Sequence, residues 1–154
     1  MKTITSSHTD QTLELGEKIG RALTCGMRIA LKGELGAGKT TFVQGLAKGM
    51  GVSEKYHITS PTFNIINEYE AGQFTLCHLD LYRLESCDDL EDIGFDDLIE
   101  DMNVIVVEWP GILEDMAFRF DLEIHFNFDE HYNRIISVFA SGQSGSNLLS
   151  TLSL

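Results

Sequence analysis

Apolar positions recur along this chain at two periods, and the period decides the element. Between Asp10 and Thr24, the positions Leu13, Gly16, Ile19 or Gly20, and Leu23 fall on one face at helical spacing. Thr9 stands where an N-cap belongs, so the pattern predicts a first helix there. Met27 to Leu31 reads as a short apolar strand, and Gly33 to Gly38 as a glycine-rich loop. From about Lys39 to Met50 the stripe Phe42, Val43, Leu46, Ala47 and Met50 predicts a second helix, with Gly51 in the usual C′ role.

The second half is richer in strands. Val52 to Thr62 is polar and ends in Ser60-Pro61-Thr62, the composition of a loop. Phe63 to Tyr69 and Phe74 to Asp80 are strand-like runs, and the intervening Glu70-Ala71-Gly72-Gln73 predicts a hairpin. Leu84 to Asp101 predicts two short acidic helices broken at Gly94. Asn103 to Glu108 is a continuous run of β-branched residues, the pattern of a strand buried on both faces. Asp121 to Phe128 and Arg134 to Ala140 are expected to pair through the turn between them. The stretch from Ser141, rich in Ser and Gly, reads as a mobile tail, which leaves residues 1–140 as the folded domain. Early strand, loop, helix and a later buried strand predict a three-layer α/β domain, and the hairpins make its sheet mixed and mostly central.

At 154 residues the chain is one domain long and can bury a core without disulfide or metal staples. Its three cysteines, Cys25, Cys77 and Cys87, form no C-x-x-C pair and read as reduced thiols of an intracellular protein. The N-terminus lacks the apolar core of a signal peptide, and the longest apolar run, Val104 to Val107, is far too short to span a bilayer. A cytoplasmic protein with no membrane partner is the expectation. The 24 acids against 11 bases give a formal charge of −13, a field that repels phosphate backbones. Tight direct binding to nucleic acid is not expected. A nucleotide is another matter, because a phosphate nest is local and its ligand arrives with Mg²⁺.

The strongest chemical signal is Gly33-Glu34-Leu35-Gly36-Ala37-Gly38-Lys39-Thr40, which fits G-x-x-x-x-G-K-[ST] in full. Its glycines allow backbone angles and close approach that a Cβ would block. Successive N–H groups then form an anion nest at a helix start. Lys39 reaches the β- and γ-phosphates, and the Thr40 hydroxyl is placed for Mg²⁺. The motif also lies where it must, after an apolar strand and before an amphipathic helix.

Such a loop needs carboxylates at the ends of neighbouring strands. Leu76-Cys77-His78-Leu79-Asp80 and Val104-Ile105-Val106-Val107-Glu108 both end that way, so Asp80 and Glu108 are the two candidates for holding the metal or orienting the attacking water. Thr62 is a candidate sensor of the γ-phosphate, in competition with an ordinary turn fixed by Pro61. Trp109 is read first as a packing anchor and His78 as a structural histidine, although each stands beside a candidate carboxylate. Asp88 to Asp101 holds eight acids and no base, either a solvated helical face or a docking surface for a basic partner. The chain lacks the guanine-reading N-K-x-D, which favours adenine, and its few scattered bases argue against the basic lid of a small-molecule kinase. That kinase and a nucleotide-dependent binding module remain the alternatives to a hydrolase.

Together, Gly33 to Thr41, Ser60-Pro61-Thr62, His78-Leu79-Asp80-Leu81-Tyr82-Arg83-Leu84 and Glu108-Trp109-Pro110 resemble the bacterial TsaE family over roughly residues 9–140. The resemblance implies a P-loop NTPase fold and a Mg²⁺-dependent ATPase, weak when alone, of tRNA threonylcarbamoyladenosine biosynthesis. It also implies association with the TsaB–TsaD protein pair. By match of position, Gly36, Ala37, Gly38, Lys39, Thr40 and Thr41 would bind ATP, with Thr9 and Arg134 as further contacts. Thr40 and Glu108 would hold Mg²⁺. Lys39, Asp80 and Thr62 would serve catalysis, Asp80 as the acid or base beside the γ-phosphate and Thr62 in a nucleotide-sensitive loop. The same resemblance implies that an acidic ATPase resets its enzyme partners and does not grip the tRNA.

Overall fold

The computed structural model describes residues 1–99 and 103–152. Seven strands, β1 (Lys2–Ser6), β2 (Met27–Gly33), β3 (Ile66–Ala71), β4 (Phe74–Asp80), β5 (Asn103–Glu108), β6 (Leu122–Phe128) and β7 (Arg134–Ala140), form one sheet in the order β1-β7-β6-β2-β5-β4-β3. The central neighbours β6, β2, β5 and β4 run parallel, whereas β3, β7 and β1 join antiparallel at the edges. The sheet is therefore mixed, as the hairpin signals predict.

Alternation along the central strands supplies two cores. Val104 and Val106 of β5 face a cluster shared with α1 (Thr9–Ala22), α2 (Lys39–Met50) and α6 (Gly142–Thr151). Ile105 and Val107 face the other way, onto Leu90, Phe95, Leu98 and Leu113. Those four belong to the short helices α3 (Asp88–Asp92), α4 (Phe95–Leu98) and α5 (Gly111–Asp115). A strand buried on both faces reads as an unbroken apolar run, and β5 does so because helices cover it above and below. The architecture is the three-layer α/β sandwich expected.

The helices α1 and α2 approach each other through four glycines. A Cβ on Gly16 would stand 2.8 Å from the Leu46 nitrogen, and one on Gly45 the same distance from the Leu13 carbonyl carbon. Gly20 and Gly49 meet the facing backbone in the same way. Both helices thus carry a Gly-x-x-x-Gly edge, and backbone packs on backbone. This seam couples α1 to the helix that opens at Lys39.

Several boundaries differ from the sequence pattern, each for a physical reason. The first helix starts at Thr9 with His8 as its N-cap, and the Gln11 side chain accepts the Ser7 and His8 amide hydrogens at 2.8 and 3.3 Å. Its buried stripe is Thr12, Leu15, Gly16, Ile19 and Gly20, while Leu13 is half-buried. The strand expected from Phe63 begins only at Ile66, because Ile65 sits at φ 67°, outside the extended region. The hairpin closes tightly on Gly72 and Gln73, between the paired Ala71 and Phe74. Strand β1, which the pattern does not announce, is an edge strand whose inward face carries one apolar residue, Ile4, and the buried Ser6. The Ser/Gly-rich stretch read as a mobile tail forms α6, because Leu148, Leu149 and Leu152 reach the core beside α1 and Gly145 lets the backbone close on Asp121. Of the acidic stretch, Glu100 and Asp101 lie outside the described residues.

Candidate nucleotide site

Strand β2 delivers the glycine-rich loop. Gly33 ends the strand at φ 152°, Gly36 takes φ 79° and Gly38 takes φ 106° immediately before α2. A left-handed backbone at Gly36 and Gly38 is what a side chain would oppose, so the spacing of the motif is a spacing of conformations. Ala37 is buried, its amide donating to the Glu34 carbonyl at 3.2 Å. Thr41 is half-buried in the first turn of α2.

Lys39 is 4% exposed, and its Nζ donates to the carbonyls of Gly33 and Glu34 at 2.8 and 2.9 Å. The same ammonium lies 4.2 Å from the centre of the Trp109 ring, a cation–π contact. Burial lowers its pKa, and the negative charges of Glu108 and Asp80 oppose that shift. The loop lysine therefore turns back on its own loop, within the field of two carboxylates.

Those carboxylates arrive together because β4 and β5 are parallel neighbours in register. Asp80 pairs with Glu108, and Glu108 with Leu31 of β2, so both acids lie at the strand ends from which the loop emerges. They are 4% and 3% exposed. Glu108 Oε1 accepts the Thr40 hydroxyl at 2.9 Å and faces His78 Nε2 at 2.9 Å. Asp80 is occupied by the two loops around it. Its Oδ2 accepts the hydroxyls of Ser60 and Thr62 at 2.5 and 3.0 Å, and its Oδ1 accepts the Tyr82 amide at 3.0 Å.

The Ser60–Ile65 loop is held under local strain. Ile65 is β-branched at φ 67°, fixed by its amide on the Pro61 carbonyl and by its own carbonyl on the Asp80 amide at 3.0 Å. Trp109, next to Glu108, also has a positive φ, 59°. Backbone outliers of this kind cost about 1–3 kcal/mol each and persist where the surroundings over-determine them. Arg83 caps the arrangement, its guanidinium 4.4 Å from the centre of the exposed Phe63 ring.

Most residues singled out from the sequence converge here: Gly36 to Thr41, Thr62, Asp80, Glu108 and Arg134. Arg134 arrives from β7 and donates from Nε to the Ala37 carbonyl at 3.0 Å. Thr9 is exposed on the first turn of α1. Thr12, one turn further on, is fully buried with its hydroxyl 3.0 Å from that of Ser6. Its methyl lies 3.6 Å from where Gly38 would carry a Cβ. Thr12, which the sequence pattern does not single out, is thus the residue of α1 that abuts the loop at Gly38. His78, expected to be structural, lies within hydrogen-bond distance of Glu108.

As a holder of metal the site offers one hydroxyl and one carboxylate oxygen, both hard donors. Among the described residues no group of three or more His, Cys, Asp or Glu gathers to cage an ion. That sparse oxygen set fits Mg²⁺, which takes one or two protein oxygens and completes its shell with phosphates and water. Among the described residues, no helix is long and apolar enough to cross a membrane.

Comparison with known proteins identifies the family. The profile of the family described as threonylcarbamoyl adenosine biosynthesis protein TsaE matches residues 6–136. A Nostoc protein named tRNA threonylcarbamoyladenosine biosynthesis protein TsaE is 45% identical over 112 residues, 71% of this chain and 68% of its own length. A Rickettsia conorii protein of the same name is 31% identical over 146 residues, covering 95% of this chain and 81% of that one. The crystal structure of Bacillus subtilis YdiB superposes with a TM-score of 0.78 at 27% identity, over 99% of this chain and 93% of that one. With that profile spanning most of its length, the chain belongs to the TsaE family.

Proposed function

We propose that this chain is a Mg²⁺-dependent ATPase of threonylcarbamoyladenosine biosynthesis, acting in the cytoplasm by binding the TsaB–TsaD complex and resetting it between catalytic cycles. The observation that carries the reading is the convergence of Lys39, Thr40, Asp80 and Glu108 on the strand ends beneath one glycine-rich loop. The names of the relatives supply the pathway, and the charge of −13 favours protein partners over a grip on tRNA.

In this reading the amides of Gly36 to Thr41 cradle the phosphates, with Arg134 bracing the loop through Ala37 and Thr9 at the entry to α1. Thr40 and Glu108 would hold the metal, which when bound neutralises charge on the phosphate oxygens. Lys39 has to leave the Gly33 and Glu34 carbonyls to meet that charge. Asp80 is the group that orients or deprotonates the attacking water. Its Oδ2 is already taken by Ser60 and Thr62, so it is free to act only when that loop moves. A partner that draws Thr62 away would release Asp80, so on this reading the isolated chain hydrolyses ATP weakly.

The test is Asp80→Asn, a substitution of nearly the same shape. ATP binding should stay within a few-fold, while hydrolysis and repeated tRNA modification fall by about 100-fold or more, the usual scale for a positioned acid or base. Modification at the wild-type rate would leave only a nucleotide-dependent binding module.

A further inference from the structure

His78 is fully buried in the middle of the sheet, on a strand whose neighbouring residues Cys77 and Leu79 are also fully buried. One ring nitrogen, Nε2, lies 2.9 Å from Glu108 Oε1, the oxygen that also accepts the Thr40 hydroxyl. A carboxylate oxygen accepts, so Nε2 carries the hydrogen and the tautomer is fixed. The other nitrogen, Nδ1, is buried without a hydrogen-bond partner among the described residues. An unsatisfied buried polar atom costs about 1–3 kcal/mol, and a leucine or phenylalanine would fill this place without that cost. A purely structural role does not explain an imidazole whose only polar contact among the described residues is with the carboxylate that accepts the P-loop threonine.

We propose that His78 is a positioning residue for the metal. By donating to Oε1 it holds the Glu108 carboxylate in the orientation in which Thr40 and Glu108 take up magnesium. The inference rests on the reading of Thr40 and Glu108 as the metal-holding pair and adds to it the group that orients them. His78 touches neither nucleotide nor reacting atoms. Its substitution should therefore move the dependence on metal and spare the phosphate nest, which is built from amides of another element. Groups that orient a metal ligand in this way affect metal affinity by about 10–100-fold when removed.

The experiment measures ADP binding by calorimetry across a magnesium titration, and again with the metal chelated, for wild type, His78→Leu, His78→Gln and Glu108→Gln. Thermal unfolding of each variant establishes that it is folded. The half-saturating magnesium concentration should rise by about 10-fold or more in His78→Leu. Metal-free ADP affinity should stay within about two-fold, and His78→Gln, whose amide can still donate, should recover most of the loss. If His78→Leu does not fold, the comparison of His78→Gln with the shorter His78→Asn decides, since only glutamine reaches Glu108. A His78→Leu protein with unchanged magnesium dependence, beside a Glu108→Gln protein that has lost it, overturns the role of His78 alone. Unchanged magnesium dependence in Glu108→Gln overturns the metal-holding pair, and the inference falls with it. Equal weakening with and without metal would show that His78 merely supports the fold.

Discussion

Replacing Gly45 with alanine sets two effects of opposite sign against each other. Gly45 lies inside α2, where alanine is intrinsically better by about 1 kcal/mol. A Cβ there, however, would stand 2.8 Å from the Leu13 carbonyl carbon and closer still to its oxygen. Carbon atoms pack best at about 3.5–4.0 Å, so α1 has to retreat by roughly 1 Å along a seam where Gly16, Gly20 and Gly49 are equally close. The obstacle is backbone, which cannot swing away as a side-chain tip can. Overpacking of this kind costs about 1–3 kcal/mol, and separating a glycine-lined seam belongs at the upper end. The net expectation is a loss of about 2 kcal/mol, which for a chain of this size lowers the melting temperature by roughly 4–8 °C. The assay is thermal and urea unfolding followed by circular dichroism. Because α2 begins at Lys39 and Thr12 of α1 abuts Gly38, ADP affinity should drop in the same variant. A Gly45→Ala protein as stable as wild type, or more stable, would mean that helix propensity dominates and that the close approach of α1 and α2 is not what holds them.

Trp109 is the one tryptophan in the chain and stacks on the Lys39 ammonium, so nucleotide that draws Lys39 toward phosphate should change its emission, read by fluorescence titration. Constant emission through a calorimetrically verified binding isotherm would refute that contact. On the far side of β2, Lys32 pairs with Glu114 and, at 2.6 Å, with Glu123. The Lys32 hydrogen bond holds Glu123 below its ordinary 4.5 against the opposing effect of burial. Burial alone would lower the pKa of Lys32, but its bonds to Glu114 and Glu123 outweigh that and raise it above 10.5. A depressed carboxylate stabilises the fold above its unfolded pKa and loses that contribution as pH falls through the folded value. A raised lysine stabilises below its unfolded pKa and loses its contribution as pH rises through the folded value. Glu123→Gln should therefore lower the melting temperature near neutral pH, with the gap to wild type closing below about pH 4. An equal gap at both ends of an acid titration would contradict the linkage.

The central layer and the phosphate loop were legible because both are written locally. The β5 run of Val and Ile residues announces burial on both faces, and the P-loop spacing dictates backbone angles at Gly36 and Gly38. Gly94, the expected break, does separate α3 from α4. What escaped depends on distant partners. Ile4 alone cannot signal an edge strand, and three leucines in a Ser/Gly-rich stretch mean little until α1 is beside them. That Thr12 abuts Gly38 depends on which face of α1 meets the loop, a property of the glycine seam. The link from His78 to Glu108 is invisible along the chain because the parallel register of β4 and β5 creates it.

The most direct test of the account is ATP hydrolysis by this chain with and without a purified TsaB–TsaD pair, alongside tRNA modification followed over several turnovers. Release of Asp80 from Ser60 and Thr62 by a partner predicts hydrolysis stimulated by about 10-fold or more, with modification continuing past the first turnover only when both are present. Hydrolysis unchanged by saturating partner, with modification equally sustained without this chain, would contradict it.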